Sequence, residues 1–367
     1  MRHLARALTA LGARISTPAP VVLLDVVTEN IERMQAFADA HGKRLRPHVK
    51  THKSVEIGKL QLETGAAGLT AGTVSEAEIF AGAGCEDILL AYPLWAVGSK
   101  AERIRRLSQV TRLTVGADSR PAIDALRNAM GTAATQLGVL IEVDCGARRS
   151  GVRPEVSGAL AAYARDRGLR PRGIFTYPGH GGVVGAPEGA ARDQAQALRT
   201  AVESFAEHGV DAEIVSAGST PTAEFSTDPV ITELRPGEYV FNDYDNYLIG
   251  DCATENIGLF LASTVVSDQG HPHVIVDAGT KALGREGNPD RGYGQVPSHH
   301  GYLRSLNEYH GYLDLAERGL RPGLGERVAV VPNHVCPVVN AFENLIISNR
   351  SGDLLGSWPV DAQGQLN

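Results

Sequence analysis

The sequence predicts a (β/α)8 barrel followed by a second, β-rich domain at the C-terminal end. Apolar segments rich in β-formers alternate with segments of helical periodicity from residue 20 to about residue 250. Eight such strand–helix units in a row are the number that closes a barrel. Beyond residue 250 the helical segments stop, and strands separated by turns follow. We therefore expect a barrel at 17–250 and a β domain at 251–367, with residues 1–16 packing on the latter.

The predicted barrel strands are short, apolar and rich in β-branched residues. In chain order they are Val21–Asp25, Leu45–Lys50, Gly68–Thr73, Asp87–Pro93, Arg112–Asp118, Val139–Asp144, Gly173–Tyr177 and Glu213–Ala217. The helices between them are amphipathic: TENIERMQAFADAHG repeats Ile31, Met34 and Phe37 on one face. An open doubly wound sheet usually places a glycine-rich loop after its first strand. The segment VVLLDVVTEN is no such loop, which favours the barrel.

Composition and charge exclude several classes of function. A net charge of −7 and an aromatic content of 5% argue against nucleic acid and anionic lipid as partners. No apolar segment approaches the roughly 18 residues of a membrane span. The four cysteines are scattered and form no CxxC pair, so we expect a reduced, cytoplasmic protein.

Lys50 is the first candidate for chemistry. It lies in LRPHVKTHKS at the end of the second predicted strand, and barrel active sites form at that end. Half-burial and the positive charge of His48, His52 and Lys53 are expected to favour its neutral amine. A neutral amine can form an imine with an aldehyde cofactor and later act as a base. A solvated or salt-bridged lysine is the alternative for an isolated strand-end lysine, and the surrounding motifs decide against it.

The segment SAGSTPT, after the eighth predicted strand, is a candidate phosphate site. Barrels commonly bind phosphate there, through backbone amides that small residues leave accessible. Gly218, Ser219 and Thr220 offer amides and hydroxyl groups. A tight turn that closes the barrel would explain the glycine but not the cluster of hydroxyls.

The segment RPHVKTHKS resembles the cofactor-lysine motif of the D-serine dehydratase and D-threonine aldolase family. These are pyridoxal-phosphate enzymes with an alanine-racemase-type fold. The resemblance continues in order through GLTAGTVSEAEIFAGAG, VDCGARRSGV, SAGSTPT, ELRPGEYVF, VDAGTKAL and PNHVCPVVN, and so covers nearly the whole chain. It implies pyridoxal 5'-phosphate bound covalently to Lys50, and a homodimer.

The resemblance also implies further contacts to the cofactor. They involve Arg149, Tyr177, Arg235, Gly237 and Glu238. The last two would offer backbone amides to the phosphate, and Arg149 would face the phenolic oxygen. Spacing does not separate Arg149 from Arg148, but the Gly-Val that follows favours Arg149. Tyr177 would contact the imine or the ring face, with a core or rim tyrosine as the alternative. Arg235 would lie near the pyridine nitrogen, at a position where members of the family vary.

His334 and Cys336, in PNHVCPVVN, are the candidate metal ligands. They are two residues apart on a predicted strand, so both side chains are expected on one face. Imidazole and thiolate together favour Zn2+. An isolated H-x-C sequence is by default interpreted as a chance pairing. Within this motif, however, the two residues resemble the zinc pair of D-serine dehydratases. D-threonine aldolases typically carry Asp in place of Cys336, which suits Mn2+ or Mg2+.

Two reactions fit these residues. In a dehydratase, Lys50 removes the Cα proton while Zn2+ polarises the β-hydroxyl, and a keto acid and ammonia result. In an aldolase, His52 or a metal-bound water takes the hydroxyl proton, and the substrate splits into glycine and an aldehyde. The loop SAGSTPT and Cys336 favour a D-serine dehydratase-like deaminase, with D-threonine aldolase activity as the alternative.

Two other classes fit less well. A non-catalytic carrier of pyridoxal phosphate has no use for His334 and Cys336, and a racemase does not need the metal pair. D-serine, D-threonine, a 3-hydroxyaspartate and a bulkier β-hydroxy amino acid all remain open as substrates. Residues 285–300 and the segment NEYHGYLDL are predicted to line the substrate pocket.

Overall fold

A computed structural model describes residues 1–287, 290–315 and 321–367. Its strands, β1 to β17 in chain order, are Ala19–Leu23, Arg44–Leu45, Leu69–Ala71, Asp87–Pro93, Arg112–Ala117, Gly138–Glu142, Arg170–Phe175, Ile214–Ala217, Glu233–Leu234, Leu259–Ser267, His273–Val276, Gly294–Val296, Gly301–Leu306, Gly311–Leu315, Arg327–Pro332, Asn344–Ser348 and Gly356–Pro359. Its α-helices, α1 to α11, are Arg2–Leu11, Leu24–Ala40, Val55–Thr64, Val74–Gly82, Ser99–Leu107, Arg120–Met130, Ser157–Asp166, Pro187–Glu207, Tyr244–Leu248, Thr280–Leu283 and Val335–Ala341. None of these helices combines the length and apolar character needed to span a membrane.

The chain forms two compact units, which we call the barrel unit and the β unit. The barrel unit comprises Arg33–Lys50, Ile57–Gly237 and Gln365–Asn367. The β unit comprises Met1–Glu32, Thr51–Glu56 and Glu238–Gly364. The predicted fold class, a (β/α)8 barrel with a β-rich second domain, is confirmed.

Eight parallel strands form the barrel, in the order β2-β9-β8-β7-β6-β5-β4-β3. The two ends of this order are joined by backbone hydrogen bonds. The Val49 N–H donates to the Thr70 carbonyl at 2.9 Å, and the Ala67 N–H donates to the Leu45 carbonyl at 2.8 Å. Apolar side chains from the strands fill the interior, as in other barrels. They include Leu89, Leu140, Phe175 and Ile214.

Three details of the predicted strands are wrong. The first predicted strand, now β1, pairs with β10 and β16 in the β unit. Strand β9 takes its place in the barrel. Because β9 has only two residues, it gives no apolar segment that could be recognised in the sequence. The second predicted strand ends at Leu45, so that Lys50 lies in a turn. Lys50 therefore follows the first barrel strand, and SAGSTPT follows the seventh rather than the eighth.

The β unit is built on a nine-stranded sheet in the order β11-β14-β13-β12-β15-β10-β1-β16-β17. Because β11 also pairs with β10, the strands from β10 to β15 close into a small antiparallel barrel. Helix α1 buries Leu4, Leu8 and Leu11 in the same apolar cluster as Phe260 and Val331. The amphipathic start of the chain therefore packs on this sheet.

A chain of buried charged and polar groups crosses the barrel. Arg46, which follows β2, donates to Glu233 on β9 at 2.9 Å and to Asp87 on β4 at 2.8 Å. The Ser216 hydroxyl donates to the second Glu233 oxygen at 2.6 Å. Burial alone would raise the pKa of Glu233, but Arg46 and Ser216 outweigh burial and hold that pKa below its ordinary value. Both carboxylate oxygens are thus satisfied inside the protein.

Arg46→Met is expected to lower the free energy of unfolding by about 3–5 kcal/mol, because it leaves a buried carboxylate without its cation. Urea denaturation followed by circular dichroism measures this change. Arg112→Met is the matched control. Arg112 also binds Asp87, at 3.1 Å, but its side chain is 65% exposed, so about 1 kcal/mol or less should be lost. Equal losses in the two variants would contradict a structural role for the buried pair.

Candidate active site

Lys50 is brought together with Tyr177 and Arg149 at the mouth of the barrel. The Lys50 backbone N–H donates to His48 Nδ1 at 3.2 Å, and its side chain is exposed rather than half-buried as predicted. The Lys50 ammonium nitrogen lies 5.9 Å from the centre of the Tyr177 ring. The Arg149 guanidinium carbon lies 4.7 Å from the same centre. Two cations predicted from separate motifs therefore lie close to the aromatic ring of a residue predicted from a third.

The structure distinguishes Arg149 from its neighbour Arg148. Arg148 has a left-handed backbone conformation (φ 53°), and its N–H donates to the Asp144 carboxylate at 3.0 Å. The Gly146 N–H donates to the same carboxylate oxygen at 2.9 Å. This turn presents the Arg149 side chain to Tyr177, which favours Arg149 as the cofactor contact.

The two loops predicted to bind phosphate follow β8 and β9, the seventh and eighth strands of the barrel. Barrels commonly hold phosphate after these two strands. The Gly237 N–H donates to the Thr220 hydroxyl oxygen at 3.3 Å and so joins the loops. Gly218 has a φ of 80°, a conformation that glycine adopts without strain. The Ser219 N–H donates to the Thr222 hydroxyl at 3.0 Å. Loop shape and hydroxyl content fit a phosphate.

Gln194 is a supporting residue that sequence reasoning missed. It is fully buried on α8. Its Oε1 accepts the Gly218 N–H at 3.1 Å, and its Nε2 donates to the Ser226 hydroxyl at 2.5 Å. The Gly218 amide is thus used to shape the loop. Only the fold reveals this role, because a glutamine on a helix is not distinctive in a sequence.

Arg235 is held rigidly near the end of the barrel interior. Its guanidinium donates to the Ser216 hydroxyl at 2.9 Å and to the Thr176 carbonyl at 2.7 Å. It also lies 5.4 Å from the centre of the Phe175 ring. Burial lowers the pKa of Arg235 to about 10, so it remains a cation at neutral pH.

His52, the predicted base, is fully buried in the β unit. Its Nδ1 lies 3.1 Å from the Ser54 carbonyl oxygen. A ring without accessible surface is poorly placed to take a proton from a substrate. This placement favours another group as the base.

His334 and Cys336 do not lie on a strand. His334 is the N-cap of α11 and Cys336 lies in its first turn, so the argument from strand alternation is wrong. Nevertheless, one donor atom from each lies within 4.8 Å of the other and of a Glu238 carboxylate oxygen. The family resemblance implies only a backbone contact for Glu238, so its carboxylate is an unexpected member of this cluster. Imidazole, thiolate and carboxylate together make a donor set that fits Zn2+ or a related divalent ion.

Asp243 orients the histidine of this cluster. One of its carboxylate oxygens lies 3.3 Å from His334 Nδ1 and accepts the Val335 N–H at 3.0 Å. The other caps α9 by accepting the Asn246 N–H at 3.0 Å. Metal-binding histidines commonly contact a carboxylate in this way, which fixes the ring and raises its basicity.

The cluster also has a strongly negative electrostatic field. Burial disfavours the charged form of His334, but Asp243, Cys336 and Glu238 outweigh burial and raise the pKa of His334 to about 12. A field that favours a proton on imidazole also favours a divalent cation among these groups.

One segment predicted to line the substrate pocket is fixed beside the cluster. Asn333, which precedes His334, donates to the carbonyls of Glu286 and Gly292 at 3.1 and 2.8 Å. Residues 288–289 of this segment lie outside the described residues. The segment NEYHGYLDL forms the end of the β13–β14 hairpin and strand β14.

Comparison with known protein families identifies the family of this chain. Residues 22–245 match the family model for the alanine racemase N-terminal domain. The chain belongs to that family. Residues 258–348 match a serine dehydratase domain, as the C-terminal motifs predicted.

Individual members of the family narrow the class of reaction. The chain is 37% identical to the D-threo-3-hydroxyaspartate dehydratase of Delftia sp. (strain HT23), over 88% of this chain and 91% of that protein. It is 34% identical to the D-threonine aldolase of an Arthrobacter species, over 96% and 94%. The crystal structure of D-threonine aldolase from Filomicrobium marinum matches with a TM-score of 0.88, at 29% identity and over 96% and 97% of the two chains. The predicted family is confirmed, and the chain is a pyridoxal-phosphate-dependent lyase.

Asp243→Asn is expected to weaken Zn2+ binding by about 10–100-fold, because asparagine can still accept backbone N–H groups but carries no charge to orient His334. Competition with a chromophoric chelator measures the affinity. Asp268→Asn is the control, since the Asp268 carboxylate binds Arg321 instead. Unchanged Zn2+ affinity in Asp243→Asn would contradict the orienting role.

Proposed function

We propose that this enzyme is a zinc-dependent lyase of D-β-hydroxy amino acids that acts as a D-serine dehydratase-like deaminase. The observation that carries the proposal is the cluster of Glu238, His334 and Cys336. A thiolate and an imidazole bind Zn2+ well, and Zn2+ is a Lewis acid that makes a hydroxyl a better leaving group. Racemisation at Cα breaks no bond to a hydroxyl and has no use for such a cluster.

The barrel unit supplies the residues for the cofactor. When bound, pyridoxal phosphate supplies the electron sink that allows a bond at Cα to break. Lys50 would hold it covalently and, once released, take the Cα proton on its side-chain nitrogen. Tyr177 would pack against the ring system, and Arg149 would stabilise the negative phenolic oxygen. The Arg149 guanidinium carbon lies 4.7 Å from the centre of the Tyr177 ring, and this contact supports both roles.

The remaining predicted contacts complete the cofactor site. The loops that contain Gly218, Ser219, Thr220, Gly237 and Glu238 would bind the phosphate. Arg235 would face the pyridine nitrogen as a fixed cation and keep that nitrogen unprotonated. Its two hydrogen bonds, to Ser216 and Thr176, support a permanently oriented charge.

The burial of His52 leaves a water at the metal site as the remaining candidate base for retro-aldol cleavage. Retro-aldol cleavage needs a base for the proton of the β-hydroxyl, and His52 has no accessible surface. Elimination needs no base at the hydroxyl, because Lys50 would take the Cα proton and the metal would help the hydroxyl to leave. D-threonine aldolase activity is the second candidate, which the likeness to the Arthrobacter aldolase favours.

We further propose that the enzyme is a cytoplasmic homodimer. The family resemblance supports the dimer. The cysteines support a reducing compartment, since all four are free. Mn2+ or Mg2+ could replace Zn2+ at the carboxylate of Glu238, but the thiolate favours Zn2+.

A product assay tests the proposed reaction. The enzyme with pyridoxal phosphate and Zn2+ is incubated separately with D-serine, D-threonine and D-threo-3-hydroxyaspartate, and with the L isomers as controls. We expect ammonia with the matching keto acid from at least one D isomer. A chelator should abolish the activity, and Cys336→Ala should weaken Zn2+ binding. Glycine as the dominant product would refute the dehydratase assignment in favour of the aldolase.

A further inference from the structure

Glu142 is a buried carboxylate with one oxygen unsatisfied. It is the last residue of β6, two residues beyond Leu140 of the interior cluster, and is 3% exposed. One oxygen accepts the Ser150 hydroxyl at 2.8 Å. The other, Oε2, is buried and has no hydrogen-bond partner among residues 1–287, 290–315 and 321–367. Burying a carboxylate oxygen in this way costs free energy, so the group is expected to have another use.

The loop that carries Arg149 passes directly over Glu142. Ser150, which binds the carboxylate, is the next residue after Arg149. Gly151 follows with a left-handed φ of 95°, and a Cβ there would lie 3.2 Å from Glu142 Cγ and 2.7 Å from the Asp144 nitrogen. Only a glycine permits this close approach. The backbone on the C-terminal side of Arg149 is thus fixed by Glu142.

Burial has a larger effect on the ionisation of Glu142 than any neighbouring charge. Burial raises the pKa of Glu142, while the Ser150 hydrogen bond and the charges of Arg149 and Arg235 oppose this rise. The Asp118 carboxylate adds to the rise, with an effect between those of Arg149 and Arg235, and the pKa of Glu142 stays above its ordinary value. Arg149 is exposed and Arg235 already has Ser216 and Thr176 as partners. Arg149 is therefore the cation with N–H groups to spare for Oε2.

We propose that Glu142 is the positioning residue of Arg149 in the cofactor site. Its first oxygen fixes the backbone beside Arg149 through Ser150. Its second oxygen accepts an N–H of the Arg149 guanidinium when that group binds the phenolic oxygen of the cofactor. A guanidinium has five N–H donors in a fixed plane, so contacts on both sides determine its direction. This inference rests on the proposed cofactor role of Arg149.

A double-mutant cycle tests the proposal. The dissociation constant for pyridoxal phosphate is measured by fluorescence titration in wild type, Glu142→Gln, Arg149→Gln and the double variant. Glutamine keeps the shape of Glu142 and an acceptor for Ser150 but removes the charge. Because a charge-assisted hydrogen bond is lost, we expect about tenfold weaker binding in Glu142→Gln. In the Arg149→Gln background the same substitution should change binding by less than about twofold.

The absorption spectrum of the bound cofactor gives a second readout. Loss of a directed charge at the phenolic oxygen should shift the absorption maximum in the same direction in Glu142→Gln and Arg149→Gln. A purely structural role of Glu142 would change the melting temperature but not this maximum. Glu102→Gln, an exposed substitution on α5, is the control and should change neither property. If Glu142→Gln does not fold, Ser150→Ala replaces it, with about threefold weaker binding expected.

The outcomes separate this inference from the proposed function. Additive effects of the two substitutions, or wild-type affinity in Glu142→Gln, would overturn the positioning role and leave the cofactor assignment intact. A wild-type protein that fails to bind pyridoxal phosphate would overturn the proposed function, and this inference with it. If Glu142→Gln weakens cofactor binding in the wild-type background but not in the Arg149→Gln background, the positioning role and the cofactor assignment are both supported.

Discussion

The buried ion pair between Arg46 and Glu233 is the interaction on which the candidate site depends. It joins β2 and β9, two strands of only two residues each, whose backbone ladders are too short to hold the barrel closed alone. Lys50 follows Arg46 by four residues, and Arg235 and Gly237 follow Glu233 by two and four. The pair therefore fixes the starting points of both segments that are proposed to hold the cofactor.

Charge is distributed differently in the two units. In the barrel unit, Arg149 and Arg235 provide cations suited to the anionic oxygens and ring nitrogen of the cofactor. In the β unit, Asp243, Glu238 and Cys336 gather negative charge around His334. Each arrangement would be unfavourable without an opposite charge, because buried or half-buried groups of one sign repel one another. The barrel unit thus offers positive charge to an anionic cofactor, and the β unit offers negative charge to a divalent cation.

The main candidate residues could be selected from the sequence because their motifs are local. Lys50, Arg149 and Tyr177 each lie in a distinctive segment that follows a barrel strand, and the barrel then brings the Lys50 and Arg149 cations close to the Tyr177 ring. The strand positions were harder to predict. The apolar run of β1 has the composition of a buried barrel strand, and β9 is too short to give any periodic pattern. Only the pairing partners of each strand decide between the two sheets.

The supporting residues could not be predicted, since their roles depend on distances across the fold. Gln194, Asp243 and Glu142 are ordinary polar residues in the sequence and become distinctive only through their buried contacts. The segment of His334 and Cys336 contains several valines, which favour a strand by propensity. Tertiary structure instead places a helix at Val335–Ala341, with Pro337 in its first turn where proline is tolerated.

Chemical trapping of the cofactor tests the central claim most directly. The protein is loaded with pyridoxal phosphate, reduced with borohydride, digested and mapped by mass spectrometry, with Lys50→Ala treated in parallel. The account predicts one pyridoxyl group on Lys50 and none on the variant. A label on Lys53 or another lysine, or equal labelling of the variant, would contradict it.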